Sequence, residues 1–79
     1  MKYIAFECNG QVMPILFADH TDHSMIARCV KSEYPGYKVK SAGFAGRNGS
    51  VWGESVSLRV KSDVEDEFYI KRILGIDID

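Results

Sequence analysis

Lys2-Tyr3-Ile4-Ala5-Phe6-Glu7-Cys8-Asn9-Gly10-Gln11-Val12-Met13-Pro14-Ile15-Leu16-Phe17 reads as one hairpin, and its register organises the rest of the chain. Both central positions of a type I′ turn need positive φ, which Asn and Gly tolerate best, so Asn9-Gly10 marks the tip. A two-residue turn there sets Cys8 opposite Gln11, Phe6 opposite Met13, Ile4 opposite Ile15 and Lys2 opposite Phe17. Directly opposed residues share a sheet face. One face therefore carries Ile4, Phe6, Cys8, Met13, Ile15 and Phe17, and is core. The reverse face carries Tyr3, Ala5, Glu7, Val12, Pro14 and Leu16, and is expected to point outward. Pro14 has no N–H for a ladder, so the second strand should have a free edge near it.

Beyond the hairpin, Ala18-Asp19-His20-Thr21-Asp22-His23 is rich in helix-start residues. Met25, Ile26, Cys29, Val30 and Tyr34 then recur at the spacing of an amphipathic helix, which Pro35-Gly36 stops. A second Asn-Gly pair, Asn48-Gly49, predicts a second hairpin between strands at 37–44 and 51–60. Two-residue pairing sets Lys38 opposite Arg59, Lys40 opposite Ser57, Ala42 opposite Ser55 and Phe44 opposite Gly53. Val56, Leu58 and Val60 then point inward. Ser62 and Glu65 have the spacing of a capping box. Asp63, Glu65, Asp66 and Glu67 suit the start of the last helix, Lys71 and Arg72 its end, and Gly75 its stop.

The predicted order is ββαββα: an α+β domain with a four-stranded antiparallel sheet and both helices on one face. It spans 1–79 as one domain, with a pseudo-repeat of two ββα units at 1–36 and 37–79. A ferredoxin-like order would need a last strand, for which Ile76-Asp77-Ile78-Asp79 remains. The chain has 79 residues, 46% hydrophobic and 27% charged, with a formal net charge of -1. The near-neutral balance removes the simplest argument for nucleic acid, a strongly basic domain. No apolar run approaches the roughly 18–20 residues that cross a bilayer. The N-terminus reaches Glu7 before a signal-peptide core could form. A soluble, cytoplasmic protein is the expectation.

Three patterns invite a chemical reading. Asp19, His20, Asp22 and His23 offer two imidazoles and two carboxylates, yet no further histidine completes a metal set, and a helix N-terminus with solvent-facing histidines accounts for them. Gly53-Glu54-Ser55-Val56-Ser57 lacks the second glycine and the following helix of a nucleophile elbow. Cys8 and Cys29 have no CxxC spacing and read as small reduced core residues, with a mutual bridge as the alternative. No cofactor, metal or catalytic residue is predicted, and the chain is not expected to be an enzyme.

The surface is more informative. Lys38, Lys40 and Arg59, with Ser55, Ser57 and Phe44, are predicted to form a basic, hydrogen-bonding outer face, extended by Lys61 and Arg47. Tyr3, Ala5, Val12, Pro14 and Leu16 add apolar area to it. Phe68 points away from the stripe formed by Tyr69, Ile70, Ile73 and Leu74, either as part of a helix buried on two sides or as an anchor for a partner. Such a face fits a protein partner or a second copy of the chain. The alternative is a single-stranded nucleic acid stacked on the aromatics.

Ser41-Ala42-Gly43-Phe44, Gly53-Glu54-Ser55-Val56-Ser57-Leu58 and Ser62 with Glu65-Asp66 resemble a pattern in small hypothetical proteins of bacteriophages and prophages. The likeness covers roughly the second half of the chain. Where those proteins carry arginine and proline after the equivalent of Ser62, this chain has Asp63-Val64. The resemblance implies a context, a phage accessory protein in a bacterial cytoplasm acting on a host protein, and no transferable activity.

Overall fold

A computed structural model describes residues 1–76. It contains β1 (Lys2–Cys8), β2 (Gln11–Phe17), α1 (His23–Glu33), β3 (Lys38–Ala45), β4 (Val51–Trp52), β5 (Glu54–Ser55), β6 (Val60–Lys61) and α2 (Asp66–Leu74). The fold is α+β. Its sheet is four-stranded and antiparallel in the order β2-β1-β3-β4, and β5 and β6 form a separate short ribbon. Residues 77–79, where a closing ferredoxin-like strand would have to lie, fall outside the described residues.

The first hairpin has the register its turn dictates, from Cys8 opposite Gln11 to Lys2 opposite Phe17. Asn9 and Gly10 both have positive φ, 53° and 79°, as a type I′ turn requires. β2 is a sheet edge, and Pro14 sits on it. A proline there leaves one fewer donor on the open side.

β1 runs through the centre, and Tyr3, Ile4, Ala5 and Phe6 are each 0% exposed. Side chains alternate between sheet faces, so four consecutive buried residues mean that both faces are covered. Ile4, Phe6 and Ala42 pack with Ala27 of α1, backed by Ile26 and Val30. Tyr3, Ala5 and Ala45 pack with Ile70 of α2, backed by Val12, Leu16 and Leu74. The helices therefore lie on opposite faces, not on one. The apolar reverse face of the first hairpin is a second core, and the cause is plain: it carries too much apolar surface to be left in water.

The second hairpin departs from the first. Phe44 pairs with Trp52 and Ala45 with Val51, one residue away from the register of a two-residue Asn48-Gly49 turn. A wider loop closes instead, with the Gly46 N–H donating to Ser50 O at 2.9 Å and Gly49 N–H to Gly46 O at 3.0 Å. Gly49 has φ 86° and lies against the Lys71 stem, where a Cβ would collide with it. A one-residue slip reverses every side chain. The chain then leaves the sheet at Gly53, φ 76°, so none of the pairs expected between 38–44 and 53–59 forms. Val56, expected inward, is 82% exposed at the turn of the β5–β6 ribbon.

α1 starts with Asp22 at its N-cap position and α2 begins at Asp66, after the expected Ser62 cap. Asp63 organises the entry to α2: its Oδ1 accepts from Glu65 N–H at 3.0 Å and its carbonyl from Asp66 N–H at 2.8 Å. Gly75 ends α2 in the left-handed conformation, φ 73°, with its N–H donating to Arg72 O and the Ile76 N–H to Lys71 O. This is the reciprocal C-terminal pattern that glycine allows.

Candidate functional site

Two constellations stand out, one on each face of the sheet. The first begins at the β3–β1 ladder, which shifts register between Ala5 and Phe6: Ala5 faces Ser41 and Phe6 faces Val39, leaving Lys40 as the extra residue of a bulge. The bulge turns Lys40 and Ser41 to the same side, toward α2. There Asp66, 0% exposed, accepts from Tyr3 Oη at 2.6 Å, Ser41 Oγ at 2.5 Å and Lys40 Nζ at 2.9 Å. Lys40 Nζ also reaches Asp63 Oδ2 at 3.1 Å, and the Asp63 N–H donates to Tyr3 Oη at 3.3 Å.

These partners shape protonation. Burial first, and the hydrogen bond to Asp66 second, push the Tyr3 phenol well above its ordinary value. Partial burial disfavours the Lys40 ammonium, but its bonds to Asp66 and Asp63 outweigh that and leave its pKa raised. The Asp63 carboxyl is lowered, first by the Glu65 N–H and then by Lys40. Every polar atom of this cluster is satisfied within the protein. With Asp66 sealed from solvent the cluster holds α2 to the sheet, while the Asp63 carboxylate stays partly exposed.

The second constellation is an aromatic run from the core to solvent on the α1 side. Phe17 and His23 meet edge to face at 5.3 Å, His23 and Phe44 edge to face at 6.2 Å, and Phe44 and Trp52 stack at 6.2 Å with planes 19° apart. β2, α1, β3 and β4 each contribute one ring. His23, expected in solvent, is 4% exposed, and its Nε2–H donates to the Gly43 carbonyl at 3.0 Å. A carbonyl only accepts, so the ring carries its proton on Nε2. His20 is exposed, and among the described residues no three His, Cys, Asp or Glu side chains gather as a metal set.

At the solvent end, Trp52 is 52% exposed. Open clefts flank the Phe44–Trp52 pair. One, of about 470 Å³, is lined by Met1, Asp19, Arg47 and Trp52. The other, of about 350 Å³, is lined by Lys2, His23, Phe44, Glu54, Val56 and Ser57. Gly53 lies under the Phe44 ring, where a Cβ would come within 2.9 Å of Cδ2.

Of the residues singled out in the sequence, Phe44 and Ser57 meet at this second cleft. Ser55 is buried, accepting the Leu58 N–H at 3.2 Å to hold the ribbon turn. Lys40 lies on the opposite face with its two acids. Lys38 is cross-strand from Glu7 and Lys61 from Glu54. Arg59 occupies a left-handed turn position, φ 59°. The expected basic stripe is therefore not assembled: slippage of the second hairpin scatters the bases, and Lys40 is taken up by Asp63 and Asp66. Phe68, 48% exposed, stands on α2 with the Arg72 guanidinium 5.6 Å from its ring centre. Cys29 is exposed and Cys8 half-buried, both free thiols, so neither is the small core residue expected. Sequence reasoning missed Trp52; its being the chain's one tryptophan was the available signal.

No protein family, curated protein or solved structure matches the chain. Among the described residues no helix is long and apolar enough to cross a membrane.

Proposed function

We propose that this protein is a non-enzymatic binding module for another protein, and that Trp52, stacked on Phe44, is the centre of its contact surface. The exposed indole carries the reading. Tryptophan supplies large, rigid contact area and dominates many interfaces once water is excluded around it. Here it is held at a fixed angle by Phe44, with concave surface on both sides and Val56 projecting nearby. Of the earlier surface Phe44 and Ser57 remain, and Lys40 and Ser55 take structural roles. Self-association through an open sheet face loses its support, because helices cover both faces. The resemblance to small phage proteins favours a bacterial cytoplasmic protein as the partner.

Engagement of Lys40 by Asp63 and Asp66, with Lys38 and Lys61 each set cross-strand from a glutamate, favours a protein partner over single-stranded nucleic acid. Affinity capture from a bacterial lysate, with and without nuclease, supplies the partner, and calorimetric titration with that purified partner measures the affinity of wild type and variant. Trp52→Ala is expected to keep the far-UV spectrum and weaken binding at least tenfold, about 1.4 kcal/mol. Unchanged affinity of Trp52→Ala overturns the reading. Binding that is lost on nuclease treatment, or that falls steeply between roughly 50 and 200 mM salt, assigns the surface to nucleic acid instead.

A further inference from the structure

We propose that the outer edge of β2 is a second docking site, which takes an acidic, extended segment of another protein as an added strand and uses Arg72 of α2 as its anion contact. β2 is seven residues long and forms one edge of the sheet, whereas Trp52 lies on β4 at the other. The site is therefore separate from the Trp52 surface and does not depend on it. The hairpin register fixes which backbone groups are free. Cys8 and Gln11 close the two-residue turn as a hydrogen-bonded pair, and bonded and non-bonded pairs alternate along an antiparallel ladder. Val12, Pro14 and Leu16 fall in pairs of the second kind and turn their backbone groups away from β1. Val12 and Leu16 each offer an N–H and a carbonyl, and Pro14 a carbonyl alone. An open edge of this sort is a template for another strand. Without a donor at Pro14 it is a weak one, so the groove beside it has to supply affinity and choice.

That groove lies between the edge and α2. It has a volume of about 490 Å³ and is lined by Gln11, Val12 and Pro14 from the strand and by Tyr69, Arg72 and Ile73 from the helix. Ile73 and the neighbouring Phe68 are 54% and 48% exposed, large apolar side chains on a flank of α2 that the core leaves uncovered. Among the described residues Arg72 is the one charged side chain in the lining, and its guanidinium stands 5.6 Å from the Phe68 ring centre. A ring attracts the cation but has no oxygen for its N–H fork, which is left for a carboxylate. Side chains of an added strand alternate between faces. Every second residue would therefore meet Tyr69, Arg72 and Ile73, and the others would lie on the side of the half-buried Met13 and Ile15. Carboxylates in the first set and aliphatic side chains in the second complement both faces. The free ladder and the lone positive charge together select an alternating acidic and aliphatic segment.

Two-dimensional amide NMR of the full chain tests this, with titration by an end-blocked hexapeptide alternating valine and glutamate and, separately, by one alternating valine and lysine. The amide signals of Val12 and Leu16 are expected to shift with the glutamate peptide, whose affinity exceeds that of the lysine peptide by at least about tenfold. Arg72 is exposed, and Arg72→Glu is expected to reverse that order. No shift with either peptide, shifts confined to other parts of the chain, equal affinity for both peptides, or an order unchanged in Arg72→Glu overturns the proposal. Movement of the Val12 and Leu16 signals with protein concentration alone overturns it too, and assigns the edge to a second copy of the chain. Should Arg72→Glu fail to fold, Arg72→Gln takes its place, with the preference expected to fall below about twofold and a retained wild-type preference overturning the proposal.

Discussion

Tyr3 Oη donates to Asp66 Oδ2 at 2.6 Å, joining the second residue of the central strand to the first residue of the last helix. Sixty-three positions separate the two residues in sequence. The bond works because Ser41 and Lys40 satisfy the rest of the carboxylate, so a fully buried charge is not left isolated. Removing one member of such a group costs more than the group contributes as a whole, since the remaining polar atoms stay buried.

Asp66→Ala is accordingly expected to destabilise the fold by about 3–5 kcal/mol, and Tyr3→Phe by about 1–3 kcal/mol. Urea unfolding followed by circular dichroism measures both. A loss below about 0.5 kcal/mol in Asp66→Ala would mean that the cluster does not hold α2.

Stability should also fall at alkaline pH. The folded protein keeps Tyr3 neutral and Lys40 charged beyond the pH at which the unfolded chain releases those protons. Above about pH 10 the unfolded state thus binds fewer protons than the folded one, and stability declines as pH rises. The urea midpoint is expected to drop through that range. Tyr3→Phe should drop less steeply, having lost one of the two groups.

Gly43→Ala tests the junction of β3 and β4. A Cβ at Gly43 would come within 2.5 Å of the Trp52 carbonyl oxygen and 3.1 Å of the Ser62 side chain. The backbone of β4 must move, and a loss of at least about 1 kcal/mol in stability is expected. Trp52 emission should change with it, because Trp52 is the paired neighbour of Phe44. An unaltered melting curve and spectrum would show that β4 is not seated as described.

His23→Leu removes the donor that satisfies the Gly43 carbonyl, leaving a buried acceptor without its bond. The expected cost is about 1–3 kcal/mol, read from thermal unfolding. His20→Leu, at an exposed position, serves as the control and should stay within about 0.5 kcal/mol of wild type.

Thiol accessibility gives an independent check on α1. Cys29 is exposed and Cys8 half-buried, so a chromophoric thiol reagent is expected to label Cys29 first in the native protein. Equal rates, or Cys8 first, would contradict the orientation of α1 on the sheet.

Local chemistry determined what a short stretch of sequence can specify. Asn9-Gly10 and the alternation on both sides of it give every pair of the β1–β2 ladder, because a tight turn and an apolar stripe demand the same register. Gly75 ends α2 as read, because only a glycine sits there without strain. The α+β class follows from the same signals. The tertiary structure alone decided which surface is core and which is free. α2 packs against the reverse face of β1, the Lys40 bulge aims two polar side chains at Asp66, and the loop at 46–50 closes one residue away from its Asn-Gly reading. Contacts between residues far apart in the chain accompany each, from Tyr3 with Asp66 to Lys71 against Gly49. Phe44 thus stays on the candidate surface, while Lys40 and Ser55 are withdrawn from it and Trp52 is added. The sequence already held those side chains; which of them faces water is a property of the packed whole.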